Sequence, residues 1–431
     1  MAQDAKYRAV KGMGDIFPEE SRRWRLLEGR AVSAAVRFGY GEIRTPLVEP
    51  TALFVRSIGE DTDIVEKEMF TFPGSGKKYL SLRPEGTAGV VRACLEQGVF
   101  ARDTLARYFY LGPMFRRERP QAGRRRQFHQ FGAEALGSRH PALDVELIDL
   151  LRIFLDESGL PGWSLAVNSV GCPECRPAYR ERLAAYLAGV EEKLCDNCRR
   201  RRSANPLRAL DCKNPACRKL VKAGPKPLDF LCPDCASHLA EVQDLLTGLE
   251  IAFSLDPLMV RGLDYYTSLV FEVTGPGLGS QDAVAGGGRY DTLIGELGGP
   301  DLGAAGFSVG LERLLLGLAE KEIPPAPDPL GSLYLAGIGP EGFSAQFILL
   351  SRLRRRGFAA VMDYAGRSLK AQMREANKLQ VERVLIRGPE ELSSRTVRFK
   401  DMESGKETTV PDNEVISSLL RCLTSRPEGG Q

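Results

Sequence analysis

Arginines recur in three separated stretches whose patterns suit phosphate chemistry: Phe115-Arg116-Arg117-Glu118-Arg119-Pro120, Arg261-Gly262-Leu263-Asp264-Tyr265-Tyr266-Thr267, and Gly306 through Arg313. Between Phe115 and Glu134 six arginines stand against two carboxylates, Glu118 and Glu134. A guanidinium keeps its charge and presents a planar donor fork that matches phosphate oxygens. The loop shaped by Pro120 and Gly123 therefore suits an anionic ligand, the alternative being a solvated basic turn. Arg313 falls in the first turn of a helix opened by Gly310, where the positive end of the helix dipole disfavours a cation. A bound polyphosphate would offset that cost; a surface ion pair with Glu312 is the alternative.

Strand alternation places Phe128, Gln130, Gly132 and Glu134 on one face. Two polar side chains beside a glycine suit a small polar ligand, although an antiparallel sheet can also leave such a face to water. Gly286-Gly287-Gly288 on a strand leaves room for a flat ligand, or makes only a flexible turn. The GxxxxGK[ST] phosphate loop is absent, Gly74-Ser75-Gly76-Lys77-Lys78 having the wrong spacing, so a nucleotide would have to lie on a sheet. His129 alternates away from Gln130 and reads as structural; His140 and His238 carry no catalytic signal.

Eight of the ten cysteines form Cys172-x2-Cys175, Cys195-x2-Cys198, Cys212-x4-Cys217 and Cys232-x2-Cys235. Tetrahedral zinc takes two such pairs, so the region could hold one or two ions, or be a small core of reduced thiols. Cys94 and Cys422 stand apart and read as incidental thiols. From Lys193 to Lys226 eleven Lys or Arg face two Asp, with Arg199 to Arg202 in a row.

These groups need positioning elements. Trp24 to Val36 has helical spacing, Tyr40 to Val48 reads as a strand interrupted at Pro46, and Met69 to Leu82 as a hairpin turning at Gly74 to Gly76. A helix from Gly86 to Gln97 follows. Strands at Tyr108 to Arg116 and Gln127 to Leu136 then flank the arginine loop, with a helix over Asp144 to Leu155 and a strand over Trp163 to Val170. Beyond the cysteines come a helix over Leu239 to Leu249, strands at Leu269 to Val273 and Phe307 to Val309, and a helix from Leu311. Four prolines between Ile323 and Pro329 make a stiff connector. After it, strands at Leu333, Ala359 and Arg383 alternate with helices at Phe343 and Ser368, a small α/β domain with a largely parallel core.

The 431 residues allow two to four domains. With 43% apolar and 27% charged residues and no run of membrane-spanning length, nothing suggests a lipid anchor. Met1 to Arg8 shows no apolar core of an export signal, which favours the cytoplasm. A net charge of +3 is too small to indicate a nucleic-acid partner by itself.

Leu82-Arg83-Pro84-Glu85-Gly86-Thr87, Phe115 to Glu134, Arg261 to Thr267 and Gly306 to Arg313 closely resemble segments of the histidyl-tRNA synthetases, a family of class II aminoacyl-tRNA synthetases. The likeness runs from about Lys11 into the C-terminal region. The arginine loop and the glycine-arginine helix start alone would indicate only the class; Arg-Gly-Leu-Asp-Tyr-Tyr with Gln-Phe-His-Gln upstream narrows it to histidine.

The resemblance implies an α+β fold, a class II antiparallel sheet with flanking helices over residues 1–170 and 251–322. It further implies an inserted Cys-rich basic lobe over 171–250, a Pro-rich linker over 323–330, a C-terminal α/β anticodon-binding domain over 331–423 and a flexible tail over 424–431. The implied activity converts L-histidine and ATP to histidyl-adenylate and pyrophosphate, then transfers histidine to the 3′ end of tRNA(His). Arg116 would clamp the α-phosphate and Arg313 the γ-phosphate, with Glu118 and Arg124 also at the ATP and Mg²⁺ screening the remaining charge. Arg261 would bridge the histidine carboxylate and the α-phosphate. Glu85 and Thr87, with Gln130, would receive the α-ammonium group, and Gly86 counts among the histidine-binding residues. Glu134 and Tyr266 would satisfy the imidazole, with Tyr265 lining the same pocket. Zinc on Cys172, Cys175, Cys195, Cys198, Cys212, Cys217, Cys232 and Cys235 would be structural, and the basic lobe would contact the tRNA acceptor arm, the alternative being a solvated basic surface. A cytoplasmic homodimer is implied, with the strand around Pro46 at its interface. The rival is a non-catalytic paralogue, the regulatory subunit of ATP phosphoribosyltransferase; Arg261 to Thr267 and the region Leu333 to Leu420 argue against it.

Overall fold

The structure, a computed structural model, describes residues 7–424 except 61, 77, 122, 213, 277–282 and 319–330. The 323–330 linker and all but the first residue of the 424–431 tail therefore lie outside the described residues. Two compact units emerge: Met1–Arg25, Glu42–Leu147 and Gly159–Glu322 form one, and Leu26–Gly41, Ile148–Ser158 and Ile323–Gln431 the other.

In the first unit the main sheet runs Ala106–Phe115, Gln127–Leu136, Ala304–Gly310, Ala283–Arg289, Thr267–Thr274, Ser164–Ser169, Ser254–Leu255. Adjacent ladders are antiparallel except that of Ser164–Ser169 with Ser254–Leu255. Val90, Val91, Cys94, Met114, Leu136, Leu293 and Ile294 pack in the core beside it. Burial pushes the Cys94 thiol up to about 11, in keeping with an inert packing role. The side chain of Cys422 lies outside what is described.

The stretch expected as one strand from Tyr40 to Val48 divides instead. Gly41–Glu42 is a two-residue strand that edges the main sheet beside Ala106–Phe115, and Val48–Pro50 joins Tyr79–Leu82 and Thr71–Pro73 in a separate three-stranded sheet. Thr45, Pro46 and Leu47 between them lie in neither strand: the proline has no N–H to give, the Thr45 carbonyl and hydroxyl are taken by the Arg83 guanidinium, and the Leu47 carbonyl accepts the Arg83 backbone N–H at 2.9 Å.

The cysteine region folds as helices Arg176–Gly189, Asp196–Ala204, Pro215–Ala223 and Pro233–Gly248. Cys175, Cys195 and Cys232 each stand just ahead of a helix, and Cys198, Cys217 and Cys235 lie within the first turn. A thiol at a helix start meets backbone N–H groups that have no partner within the helix.

The second unit holds a sheet in the order Ala359–Met362, Ser332–Gly337, Arg383–Arg387, Thr396–Asp401, Glu407–Pro411. Its first three strands are parallel, as the alternation of strands and helices requires; the last two add an antiparallel hairpin. That hairpin escaped sequence reading because Glu407–Pro411 is polar and almost wholly exposed, leaving no apolar alternation to detect.

Candidate active site

The main sheet supplies the floor. Register places Tyr110, Gly132, Ser308, Gly286 and Glu272 in one row across five strands, with Glu134, Gly306 and Gly288 in the adjoining row. The glycines make room for functional side chains. A Cβ on Gly132 would lie 2.3 Å from the Tyr110 ring and one on Gly86 2.4 Å from it. On Gly306 it would meet Glu134 Oε2 at 1.8 Å, and on Gly286 the Arg261 guanidinium at 1.9 Å. The glycine run is thus a surface on which a carboxylate, a phenol and a guanidinium lie down.

Above one half of this floor lies a polar pocket. Thr87 Oγ1 donates to Glu134 Oε1 at 2.7 Å, and the Tyr290 hydroxyl donates to Glu134 Oε2. Burial pushes the Glu134 carboxyl up to about 8 against those hydroxyl donors. Glu85 accepts the backbone N–H groups of Thr87 at 2.6 Å and Ala88 at 3.0 Å, at the start of the Thr87–Glu96 helix. Its pKa is raised by burial, which outweighs those two bonds. Gln130 Nε2 donates to Ser308 Oγ at 3.2 Å, while its Oε1 is buried without a partner among the described residues. Tyr265 stacks tilted on Tyr266 at 4.8 Å and edge-on to Tyr290 at 5.5 Å. Burial pushes Tyr266 up to about 12, with Arg261 drawing it down. Glu85, Thr87, Tyr110, Gln130, Tyr265 and Tyr266 line a small polar cavity that also reaches Arg116.

Arginines gather at the other half. Arg116 donates through Nε to the Pro84 carbonyl at 2.9 Å and lies over the Phe128 ring at 5.2 Å. Glu118 sits between Arg124, at 3.0 Å, and Arg116, at 3.9 Å. Arg313 donates to the carbonyls of Ala283 and Gly123. Its pKa is lowered by burial and by the charges of Arg124 and Arg116, while Glu118 and Glu272 pull the other way. Arg261 is ion-paired with Glu272. Three arginines distant in the chain therefore share one electrostatic neighbourhood. The carboxylate of Glu312 is not Arg313's partner: it accepts from the His129 backbone N–H at 2.8 Å and lies 3.0 Å from His129 Nδ1, while Trp24 packs against the same ring. His129 accordingly points away from the pocket. Cations held largely by backbone carbonyls, beside a carboxyl-rich pocket, can bind a polyanion and a small cationic ligand side by side.

The cysteines converge as two groups of four, Cys172, Cys175, Cys232 and Cys235 in one and Cys195, Cys198, Cys212 and Cys217 in the other. Separations between Sγ atoms of 3.7 Å for Cys172 to Cys175 and to Cys232, 3.9 Å for Cys175 to Cys235 and 3.8 Å for Cys195 to Cys212 are far from bonding distance. The backbone N–H of Cys198 holds the Cys195 thiol down to about 7. At Cys172 burial alone would raise the pKa, but the backbone N–H groups of Cys175 and Glu174 outweigh it. Part of the lobe's basic run is already paired: Arg201 meets Asp63, outside the lobe, at 2.9 Å, and Arg202 meets Glu191 within it at 3.3 Å.

Sequence reading missed Tyr110, Tyr290 and Ser308. Two glycines, Gly86 and Gly132, facing one tyrosine were the available signal for Tyr110. Tyr290 carried none, since its bond to Glu134 spans 156 positions. His238, silent in sequence, lies 2.7 Å from Asp144, which also receives Arg289; the trio is a buried structural network.

Comparison with known proteins reaches the same place. The family model described as histidyl-tRNA synthetase matches residues 12–314, and one described as an anticodon binding domain matches 346–421. A histidine--tRNA ligase of Syntrophotalea carbinolica is 48% identical over 412 residues, covering 95% of this chain and 97% of the relative. One from Moorella thermoacetica is 49% identical over 406 residues, covering 94% and 96%. The crystal structure of apo histidyl-tRNA synthetase from S. aureus superposes with a TM-score of 0.61 at 32% identity, covering 96% of this chain and 99% of that one.

Proposed function

We propose a division of labour for this site from one premise: the chain belongs to the histidyl-tRNA synthetase family. It is a histidine--tRNA ligase, activating L-histidine with ATP and transferring it to tRNA(His). The observation that carries the division is the meeting of a buried, hydroxyl-bonded carboxyl, Glu134, with the arginine cluster along one glycine-floored sheet.

On this reading Glu134 and Tyr266 take the imidazole nitrogens, Tyr265 walls the pocket, and Glu85, Thr87 and Gln130 receive the α-ammonium group. Gly86 contributes by leaving space for Tyr110. The unpartnered Gln130 Oε1 is an acceptor waiting for a donor, which an ammonium supplies. Arg116 holds the α-phosphate and Arg313 the γ-phosphate, with Arg124 and Glu118 fixing their surroundings. Arg261 bridges the histidine carboxylate and the α-phosphate as the carboxylate oxygen attacks phosphorus and pyrophosphate leaves. Little proton transfer is needed, so placement and charge stabilisation do most of the work. Glu118 and Glu272, already inside the arginine cluster, are the oxygen donors available to Mg²⁺ carried by the triphosphate. Apolar amino acids are rejected because they cover the buried Glu134 carboxyl without giving it the further N–H that an imidazole brings, a discrimination on the order of 10⁴.

The two cysteine tetrads suit structural zinc. Within each tetrad the sulfurs lie within 4.8 Å of one another, and four of these separations, 3.7 to 3.9 Å, match the edge of about 3.8 Å expected for a tetrahedron with Zn–S bonds of about 2.3 Å. Metal analysis should return about two zinc ions per chain; a metal-free folded protein contradicts this part. The basic lobe is read as an acceptor-arm contact and the C-terminal domain, over about 331–423, as the anticodon reader, joined to the catalytic parts by the linker 323–330. A cytoplasmic homodimer completes the reading. Val48 and Phe72 support it: they are exposed on one face of the three-stranded sheet, an apolar surface that pairing would cover. Among the described residues no helix is long and apolar enough to cross a membrane.

Histidine-dependent exchange of pyrophosphate into ATP tests the division. Arg261→Ala should slow it by about 10² to 10³-fold in a chain that still folds. Exchange within a few-fold of the parent would remove Arg261 from its assigned role.

A further inference from the structure

Arg176 follows Cys175 directly and opens the Arg176–Gly189 helix, yet its side chain turns away from the lobe. Its Nη2 donates to the carbonyls of Tyr266 and, at 3.1 Å, Gly171, and its Nε to the carbonyl of Val170 at 3.4 Å. A half-buried cation at a helix start is costly twice over, through partial desolvation and through the helix dipole. A group kept there at such a cost, and aimed at three carbonyls, has a job those carbonyls define.

We propose that Arg176 is a positioning residue for histidine recognition, tying the backbone of Tyr266 to the turn that carries Cys172 and Cys175. The inference rests on the reading of Tyr265 and Tyr266 as walls of the histidine pocket. Around this tie the two segments are laced together. The Val170 N–H donates to the Ser268 carbonyl at 2.8 Å and the Ser268 N–H to the Gly171 carbonyl at 3.0 Å. Ser268 adopts a left-handed φ of 48°, unusual for a residue with a side chain, and its hydroxyl lies 3.8 Å from Cys235 Sγ. Cys235 and Cys172 belong to the same tetrad, so the lobe grips the Tyr266 to Ser268 segment at two points. Among the described residues no comparable tie runs from Arg176 to Arg116, Arg124 or Arg313, which sets the phosphate end apart from it.

The test is calorimetric titration of the full chain with histidine alone and with ATP alone. Arg176→Met keeps the alkyl stem and removes every donor; it should weaken histidine about tenfold and leave ATP within about twofold. Equal weakening of both ligands, or of neither, overturns the proposal. Should Arg176→Met fail to give a folded chain, the milder Arg176→Lys decides, because one ammonium cannot span carbonyls that a planar fork reaches together. It should weaken histidine about threefold, and an unchanged histidine affinity there overturns the proposal. Tyr266→Phe serves as control. If it binds histidine as the parent does, the pocket reading has failed; if it binds weakly while the Arg176 variants bind normally, only the positioning role has failed.

Discussion

The two halves of the site hold their charge in opposite ways. In the histidine half, acceptors dominate: Glu134 and Glu85 are buried, Glu134 bonded by hydroxyls and Glu85 by backbone N–H groups, and both carboxyls are pushed up in pKa. In the phosphate half donors dominate, and Arg116 and Arg313 lean on the carbonyls of Pro84, Gly123 and Ala283. Carbonyls orient a guanidinium without cancelling its charge. On the proposed assignment, each half is short of the partner its ligand would bring, an ammonium and imidazole on one side and a triphosphate on the other. The contrast teaches that one sheet can serve both because glycines set the depth at which each side chain lies.

The sharpest way to break this contrast is to fill the glycines one at a time. Gly306→Ala puts a methyl group onto Glu134 and close to the Ala133 carbonyl, 2.7 Å from the added carbon, so backbone must move. The Michaelis constant for histidine should rise by about 10²-fold and stability should fall by about 1–3 kcal/mol, measured by exchange kinetics and thermal unfolding. Gly286→Ala places its methyl group nearest to atoms that all belong to the flexible end of Arg261. Its turnover should drop about tenfold with the Michaelis constant for histidine little changed and the melting temperature preserved. A fall in histidine affinity as large as that of Gly306→Ala would erase the distinction between the halves.

A smaller effect follows from the raised pKa of Glu134. The folded chain retains this proton to about pH 8, whereas an unfolded chain releases it near the usual glutamate value. Between those two pH values the folded state binds more protons, so this group makes stability fall as pH rises, levelling off above about 8. Glu134→Gln in the ligand-free chain should flatten that decline, the variant gaining on the parent from pH 5 to 8 in thermal melts. Parallel curves would mean that Glu134 titrates normally.

Much of this was legible in the sequence because it is local. The Gln127 to Leu136 strand has the bounds read from alternation, and its period of two put Gln130 and Glu134 on one face. Arginine at a glycine-opened helix flagged Arg313 for the same reason. What sequence could not give is pairing at a distance. Four cysteine pairs can combine in three ways, and only folding joins the first with the last and the second with the third. Tyr290 reaches Glu134, and Arg289 reaches Asp144, across loops whose closure leaves no mark on composition. The interruption at Pro46 was read correctly, but not its consequence, which is that the chain changes sheets there.

The central claim is that imidazole recognition and triphosphate binding are carried by separable side chains on a common floor. Titrating Glu134→Gln with histidine and, separately, with ATP tests it most directly. The account predicts a loss of about 10²-fold for histidine with ATP affinity within about twofold of the parent. Equal losses for the two ligands, or histidine binding that survives intact, would contradict it.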